Sequence, residues 1–411
     1  MTAAAALDEP GLLRHLRDLA GSARTAHGGI TRLAWSPEDI AAGAMLTYRL
    51  GQSGVRTRTD AVRNLIAEWP GTQRALAPIV IGSHLDSVIE AGELDGAYGT
   101  LAAFEVVQAL AQSGEHLRHP VRAVAWANEE GVVAAPFTGS RAASGQTIDI
   151  FALGPDGRTL AQRLVEVGGD PEHVERAAMG EIAGYLELHI EQGAVLDRTG
   201  SRIGVVTGIV GATRGRIRFD GQTNHAGTTP MNLRSDAVVA AAHCALAIER
   251  IGRSELVDVA TAGAIETYPG NANVVAGRSV VTFDMRSMDD ATRECALQQL
   301  RHETETIAAT TRTSVSLEVE ARTTASPMGP VMQGAIADSA AQLGLSHEEI
   351  ASGAGHDAQC VANIGPVGMI FVPSIGGVSH QRDERTEPAD LIAGARVLLA
   401  ALRSIDQRLD A

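Results

Sequence analysis

The sequence predicts an α/β fold: an α/β/α domain on a mixed sheet, interrupted by a smaller ferredoxin-like α+β domain. Three observations carry this. A chain of 411 residues exceeds the size at which one hydrophobic core usually stops growing, so two domains are expected. Over the first half, apolar strand-like runs alternate with helical periodicity, which implies a sheet with helices on its faces. From about Thr213 the order becomes strand-helix-strand-strand-helix-strand, the ferredoxin-like signature, and after Pro327 the first pattern resumes. The expected division is a discontinuous domain over 1–213 and 328–411, with 214–327 inserted.

The elements follow in order. Helical periodicity covers Leu12 to Ala23 and Pro37 to Leu50, and the apolar run Ala77 to Gly82 reads as a buried strand. A helix from Leu101 to Gln112 precedes the strand Val121 to Ala127, and strand-like stretches follow at Tyr185 to Ile190 and Arg202 to Gly211. In the insertion, strands are expected at Gly215 to Asp220, Val257 to Glu266, Ser279 to Met285 and Ser314 to Ala321, with helices at Ser235 to Ile251 and Asp290 to Thr310. The returning segment predicts a helix at Val331 to Leu343, a strand at Val367 to Val372 and a closing helix at Pro388 to Leu402.

Composition excludes several classes. Hydrophobic residues at 45% and charged residues at 20% fit a globular chain. A formal charge of -15 repels phosphate, so nucleic acid is not expected as a partner. No apolar stretch reaches a membrane span. The N-terminus, broken by Asp8, Glu9 and Pro10 without a basic region before it, does not read as a signal peptide. Cys244, Cys295 and Cys360 are far apart, without CxxC spacing, and suggest reduced thiols in a cytoplasmic protein.

In open α/β sheets ligands bind beyond the carboxyl ends of the strands, so polar residues after apolar runs deserve inspection. IVIGSHLDSV presents His84, with Asp86 two residues on, a pairing that can fix the tautomer of a metal-binding ring. Asp95 in GELDGAYG is either a helix N-cap or, with His84 upstream, a metal ligand. VRAVAWANEEG ends in Glu129 and Glu130, which point different ways, so one can bind metal while the other serves as general base. GYLELHIEQG carries His189, then Glu191 and Gln192. FVPSIGGVSH turns on two glycines and presents His380. Each residue alone has an ordinary structural reading, as a core, capping or loop side chain. Together His84, Asp95, Glu130, His189 and His380 form a nitrogen and oxygen set without sulfur, suited to zinc, manganese, cobalt or nickel. If Asp95 bridges two ions, the pair can lower the pKa of a shared water and polarise a carbonyl, as amide hydrolysis at neutral pH requires.

GSHLDSV, ELDGAYGTLAAFEV, ANEEG, HIEQGAVL, NHAGTTPM, NANVVAG with FDMR, AGHDAQ and FVPSIGGVSH resemble the amidase, hydantoinase and carbamoylase family, within the dinuclear metallo-aminoacylase and carboxypeptidase clan. The likeness runs from GITRLAWSPED to Ala389. It implies a homodimeric hydrolase of N-carbamoyl amino acids, with beta-ureidopropionase or allantoate amidohydrolase as alternatives. It further implies two divalent metal ions per subunit, one held by His84 and His189 and the other by Glu130 and His380, with Asp95 bridging. Asp86 is then the partner of His84 and Glu129 the general base. The insertion becomes a lid and dimerisation domain supplying His225 to the oxyanion, with Asn273 and Arg286 on a substrate carboxylate. Gln192 is expected on the ureido group, and His356 near the metals without binding them. Family members often continue the acidic pair as EEGSRF, whereas Glu130 here precedes GVVAAPFTGS, which bears on substrate preference. NANVVAG also departs from the usual PNAxNV, so Asn273 is assigned by its place before Val274. A scaffold protein on a degenerate hydrolase fold would have lost ligands, and none of the expected ones is missing.

Overall fold

A computed structural model describes residues 5–409. Met1 to Ala4, part of the stretch read above as no signal peptide, lie outside the described residues. The chain forms two compact units, one made of the segments before Gly208 and after Pro327, the other of Gly208–Pro327.

The first unit contains β1 (Arg56–Thr59), β2 (Leu65–Trp69), β3 (Ile79–His84), β4 (Val121–Trp126), β5 (Gly184–Ile190) and β6 (Ile203–Ile209). The second contributes β7 (Gly211–Asp220), β8 (Asn224–His225), β9 (Val259–Tyr268), β10 (Val274–Val275), β11 (Arg278–Ser287), β12 (Ser314–Thr323) and β13 (Ser326–Pro327). The chain then returns with β14 (His347–Ser352) and β15 (Val367–Val372).

In the first unit the strand order is β1-β2-β4-β3-β5-β15-β6, with β14 on β6. Its centre, β4-β3-β5-β15, is parallel, whereas β1, β2 and β6 join antiparallel, which makes the sheet mixed. Every residue of β3, β5 and β15 is buried, as expected for strands covered on both faces. The helix Ala97–Ser113, which ends on Gly114 in the left-handed conformation, packs with the closing helix Pro388–Arg408 over Ile81, Leu188 and Ile370 in one core. Phe104 belongs to that core, and truncating such a buried phenylalanine to alanine costs about 3–5 kcal/mol.

Several elements depart from the reading of the sequence, among them β14 and the helices Thr138–Ala143 and Leu160–Glu166, which were not expected. β1 and β2 were not expected. β1 is RTRT, largely exposed, and such an edge strand has no apolar pattern to reveal it. β7 starts at Gly211 rather than Gly215, because Ala212 and Thr213 pair with both β11 and β12, and those partners lie far along the chain.

The second unit has the order β12-β7-β11-β9, all antiparallel. Its helices, Ala237–Gly252 and Asp290–Thr311, share a core with Ile217, Phe219, Val281 and Phe283. Along β7 and β11 the burial alternates, so one face is apolar and the other presents Arg214, Asp284 and Arg286.

Candidate metal centre

The parallel strands β3, β4, β5 and β15 end at one edge of the first sheet, and the expected ligands collect there. His84 is the last residue of β3 and His189 lies in β5. Glu129 and Glu130 follow β4, and His380 follows β15. Three groups of ligand atoms lie within 4.8 Å of one another: His84, Asp95 and His189; His84, Glu129 and Glu130; and Asp95, Glu130 and His380. Asp95 Oδ1 is 3.6 Å from His84 Nε2 and 3.2 Å from His189 Nε2. Its Oδ2 is 3.1 Å from His380 Nε2. The carboxylate thus faces both sides of the cluster.

Asp95 is not a helix cap here. The helix Ala97–Ser113 begins at Gly96, without a side-chain cap, and Asp95 turns toward the histidines. Gly96 has φ +61, and a Cβ there would lie 2.3 Å from the His84 ring. Only glycine fits this turn.

The remaining ring nitrogens are set by main-chain carbonyls. His84 Nδ1 lies 2.9 Å from the carbonyl of Asp86, and His189 Nδ1 lies 2.8 Å from that of Ile190. With the proton on Nδ1, each Nε2 is left as the unprotonated, ligating nitrogen, and that of His189 also lies 3.2 Å from the Gly96 N–H, which donates to it. This corrects one expectation: the Asp86 carboxylate does not take the His84 proton. It sits 3.9 Å from that ring and accepts the backbone N–H groups of Glu129 at 3.0 Å and Glu130 at 3.2 Å. Two adjacent amides make a better fit for two carboxylate oxygens, and the turn at Asp86 offers the ring its own carbonyl instead.

The electrostatics describe a site rich in acids. Burial lifts the Glu129 carboxyl well above the usual range, with Asp357 and Glu130 adding repulsion. Burial and then Asp95 raise Glu130 to about 7. Burial opposes charge on Asp95 too, yet hydrogen bonds to His189, His380 and His84 hold it well below its ordinary value. Hydrogen bonding to Asp95 raises His380 to about 9. Burial works against a charged His84, but Glu129, Asp95 and Asp86 keep it well above its usual pKa. Oε1 of Glu130 is buried without a hydrogen-bond partner. Converging carboxylates that favour positive charge at the neighbouring histidines, plus an orphaned oxygen on Glu130, fit a site for divalent cations.

The other expected residues fall as follows. His356 is buried and stacks edge-on against His189 at 4.6 Å between ring centres, outside the ligand groups. Burial and then His189 hold its pKa well below the ordinary value, so it is neutral. Gln192 Nε2 donates to Asp95 Oδ2 at 2.8 Å. Within the second unit, β8 and β10 pair His225 with Val274, so His225 and Asn273 are brought together. Arg286 forks onto Asp284 of its own strand, at 3.1 and 2.8 Å.

Three residues escaped the reading of the sequence. Glu384 accepts from the N–H groups of Leu94 and Asp95, at 3.0 and 3.1 Å, and from the Ser379 hydroxyl at 2.7 Å. It therefore ties the His380 loop to the backbone at Asp95. Glu187 accepts from the Ser83 hydroxyl and the Ala358 N–H, both at 3.0 Å. Asp357 is fully buried with neither oxygen paired. Glu187 alone had a signal, an acid inside an apolar run two residues before His189.

A cluster of candidate nitrogen and oxygen ligands at the strand ends of an α/β sheet, with a buried glutamate beside it, fits a metallohydrolase type of centre. Comparison with known proteins sharpens this. Residues 80–404 match the peptidase family M20/M25/M40. The chain is 35% identical over 391 residues to an N-carbamoyl-L-amino-acid amidohydrolase of Paenarthrobacter aurescens, covering 92% of this chain and 94% of that one. It is also 35% identical over 388 residues to an allantoate amidohydrolase of Escherichia coli (strain K12), covering 91% and 92%. The crystal structure of an amidase of the hydantoinase/carbamoylase family from Burkholderia multivorans superposes with a TM-score of 0.90 at 33% identity, covering 97% and 98%. The chain belongs to the M20/M25/M40 peptidase family, in its hydantoinase/carbamoylase branch, and is a hydrolase of C–N bonds in linear amides.

Proposed function

We propose that this enzyme hydrolyses the carbamoyl C–N bond of an N-carbamoyl-L-amino acid, releasing the amino acid, carbon dioxide and ammonia. The carrying observation is the convergence of His84, Asp95, Glu129, Glu130, His189 and His380 in a chain so similar to relatives named for carbamoyl and ureido substrates. His84 and His189 would hold one divalent ion, Glu130 and His380 a second, with Asp95 available to both. Zinc, manganese, cobalt or nickel bound there would acidify a water and polarise the substrate carbonyl. Glu129 is the base: its raised pKa suits a carboxylate that takes a proton from the attacking water and returns it to the leaving nitrogen. His225 stabilises the oxyanion, Gln192 and His356 contact the ureido end, and Asn273 and Arg286 bind the substrate carboxylate, the arginine through its planar fork.

The insertion, 214–327, acts as lid and dimerisation domain of a homodimer. This rests on its apolar surface. The edge strand β9, paired with β11 on one side, exposes Val259, Ile265 and Tyr268, and the helix Ala237–Gly252 exposes Val239 and Leu246. Such edges invite a second copy. Light scattering should give twice the chain mass; a monomer at micromolar concentration would refute the dimer. The enzyme works in the cytoplasm, in keeping with its free cysteines; among the described residues no helix is long and apolar enough to cross a membrane.

The deciding experiment is a panel of N-carbamoyl-L-amino acids, N-carbamoyl-beta-alanine and allantoate, assayed on chelated enzyme refilled with each metal. Turnover confined to allantoate would replace the substrate proposed here. Full activity in metal-free enzyme would remove the metal chemistry altogether.

A further inference from the structure

The segment GITRLAWSPED contains none of the residues assigned a chemical role, yet it is strapped to the loop that carries Asp86. Ile30 and Ala91 exchange backbone hydrogen bonds at 2.9 and 2.8 Å, and Thr31 Oγ1 accepts the Glu90 N–H at 3.0 Å. The Arg32 N–H reaches Ser87 Oγ at 2.9 Å, while the Ser87 N–H returns to the Arg32 carbonyl at 2.8 Å.

Arg32 is the unusual member. It is 2% exposed, and its guanidinium bonds to main-chain carbonyls rather than to an acid: Nε to Leu85 O at 2.6 Å and Nη1 to Leu19 O at 3.5 Å. A buried cation without a contacting carboxylate is expensive. Leu85 lies between His84 and Asp86. The peptide that Arg32 grips therefore joins the metal-binding ring to the carboxylate that holds the amides of Glu129 and Glu130. Arg32 also lies close enough to Asp39 and Asp86 for both to favour its charged form against burial.

We propose that Arg32 is a positioning residue for the metal centre. Its Nε–H···O bond to Leu85 fixes the 84–86 turn, and through that turn both the His84 ring and the Asp86 clamp on the two glutamates. This inference rests on the metal-centre reading above but adds a residue outside it. Groups that orient metal ligands typically change affinity or activity about 10- to 100-fold when removed.

The test uses Arg32→Lys and Arg32→Met in the full chain. Lysine keeps charge and length but lacks the Nε donor and the planar fork; methionine removes both charge and bond. After circular dichroism confirms folding, zinc affinity is measured by competition with a chromogenic chelator, and kcat and KM with an N-carbamoyl amino acid. The expected result for Arg32→Lys is zinc affinity about tenfold weaker and kcat lowered about 10- to 100-fold, with KM little changed; Arg32→Met should be worse on both counts. Wild-type zinc affinity and kcat in folded Arg32→Lys overturn the proposal, as does a variant whose only defect is a lower melting temperature. If Arg32→Met does not fold, Arg32→Lys decides. Should the wild-type enzyme bind zinc yet cut no ureido acid, the substrate assignment fails while zinc affinity still judges Arg32; wild-type protein that binds no zinc overturns both.

Discussion

The two halves of the proposed metal centre are built differently. His84, Asp95 and His189 are 1–4% exposed; the histidines are carried on buried parallel strands and Asp95 at the entry of a buried helix, so the sheet itself sets their spacing. Glu130 and His380 stand on loops, and the His380 side chain is 52% exposed on a backbone at φ +58. Non-glycine residues persist there only when their surroundings hold them. The loop half is held by tethers: Asp86 to the Glu130 amide, and Glu384 to Ser379 and the Asp95 amide. A position set by a rigid sheet is held precisely, whereas one set by tethers should respond to each of them.

The largest expected effect lies between the halves. Glu129→Gln should keep both ions and lower kcat about 100- to 10,000-fold; loss of an ion on this substitution would mean that Glu129 and Glu130 have exchanged roles.

The halves separate next by metal content. His189→Ala should leave only the weaker, loop-borne position, which empties on dialysis, with activity close to background, while His380→Ala should still hold one ion per chain by elemental analysis after the same dialysis. Equal loss from the two variants would dissolve the distinction drawn here.

A smaller effect tests the tether. In Glu384→Gln the amide cannot accept at both oxygens, so affinity for the loop-borne ion should weaken about tenfold, with the His84 and His189 position unaffected. Unchanged affinity at both positions would make Glu384 a bystander.

A separate test is in pH. His380 is raised to about 9 by its bond to Asp95, so below that pH an incoming ion must displace its proton. Affinity for the loop-borne ion should therefore climb with pH, by about a decade per unit between 7 and 9, more steeply below 7 where Glu130 is protonated too, and level off above 9. A flat titration between 6.5, the ordinary value, and 9 would contradict the proton held on His380.

Residue types and their order determined much of this by themselves. Apolar runs that end in histidine or acid are local features, so the α/β class and the donor set are legible without coordinates. So are most helices, since Ser36 and Pro37 at the start of Pro37–Gln52 and Gly114 at the end of Ala97–Ser113 act within one turn. The polar edge strand β1 is not legible, because its existence depends on β2 rather than on any pattern of its own.

Only the tertiary structure decided which partner each buried group takes. Asp86 follows His84 by two residues, yet its carboxylate goes to amides 43 and 44 positions away, leaving the ring to a carbonyl. Glu384 closes on Leu94 across 290 positions, and Arg32 on Leu85 across 53. A buried polar group must find a hydrogen-bond partner somewhere, and sequence spacing names the group but not the neighbour that folding brings to it.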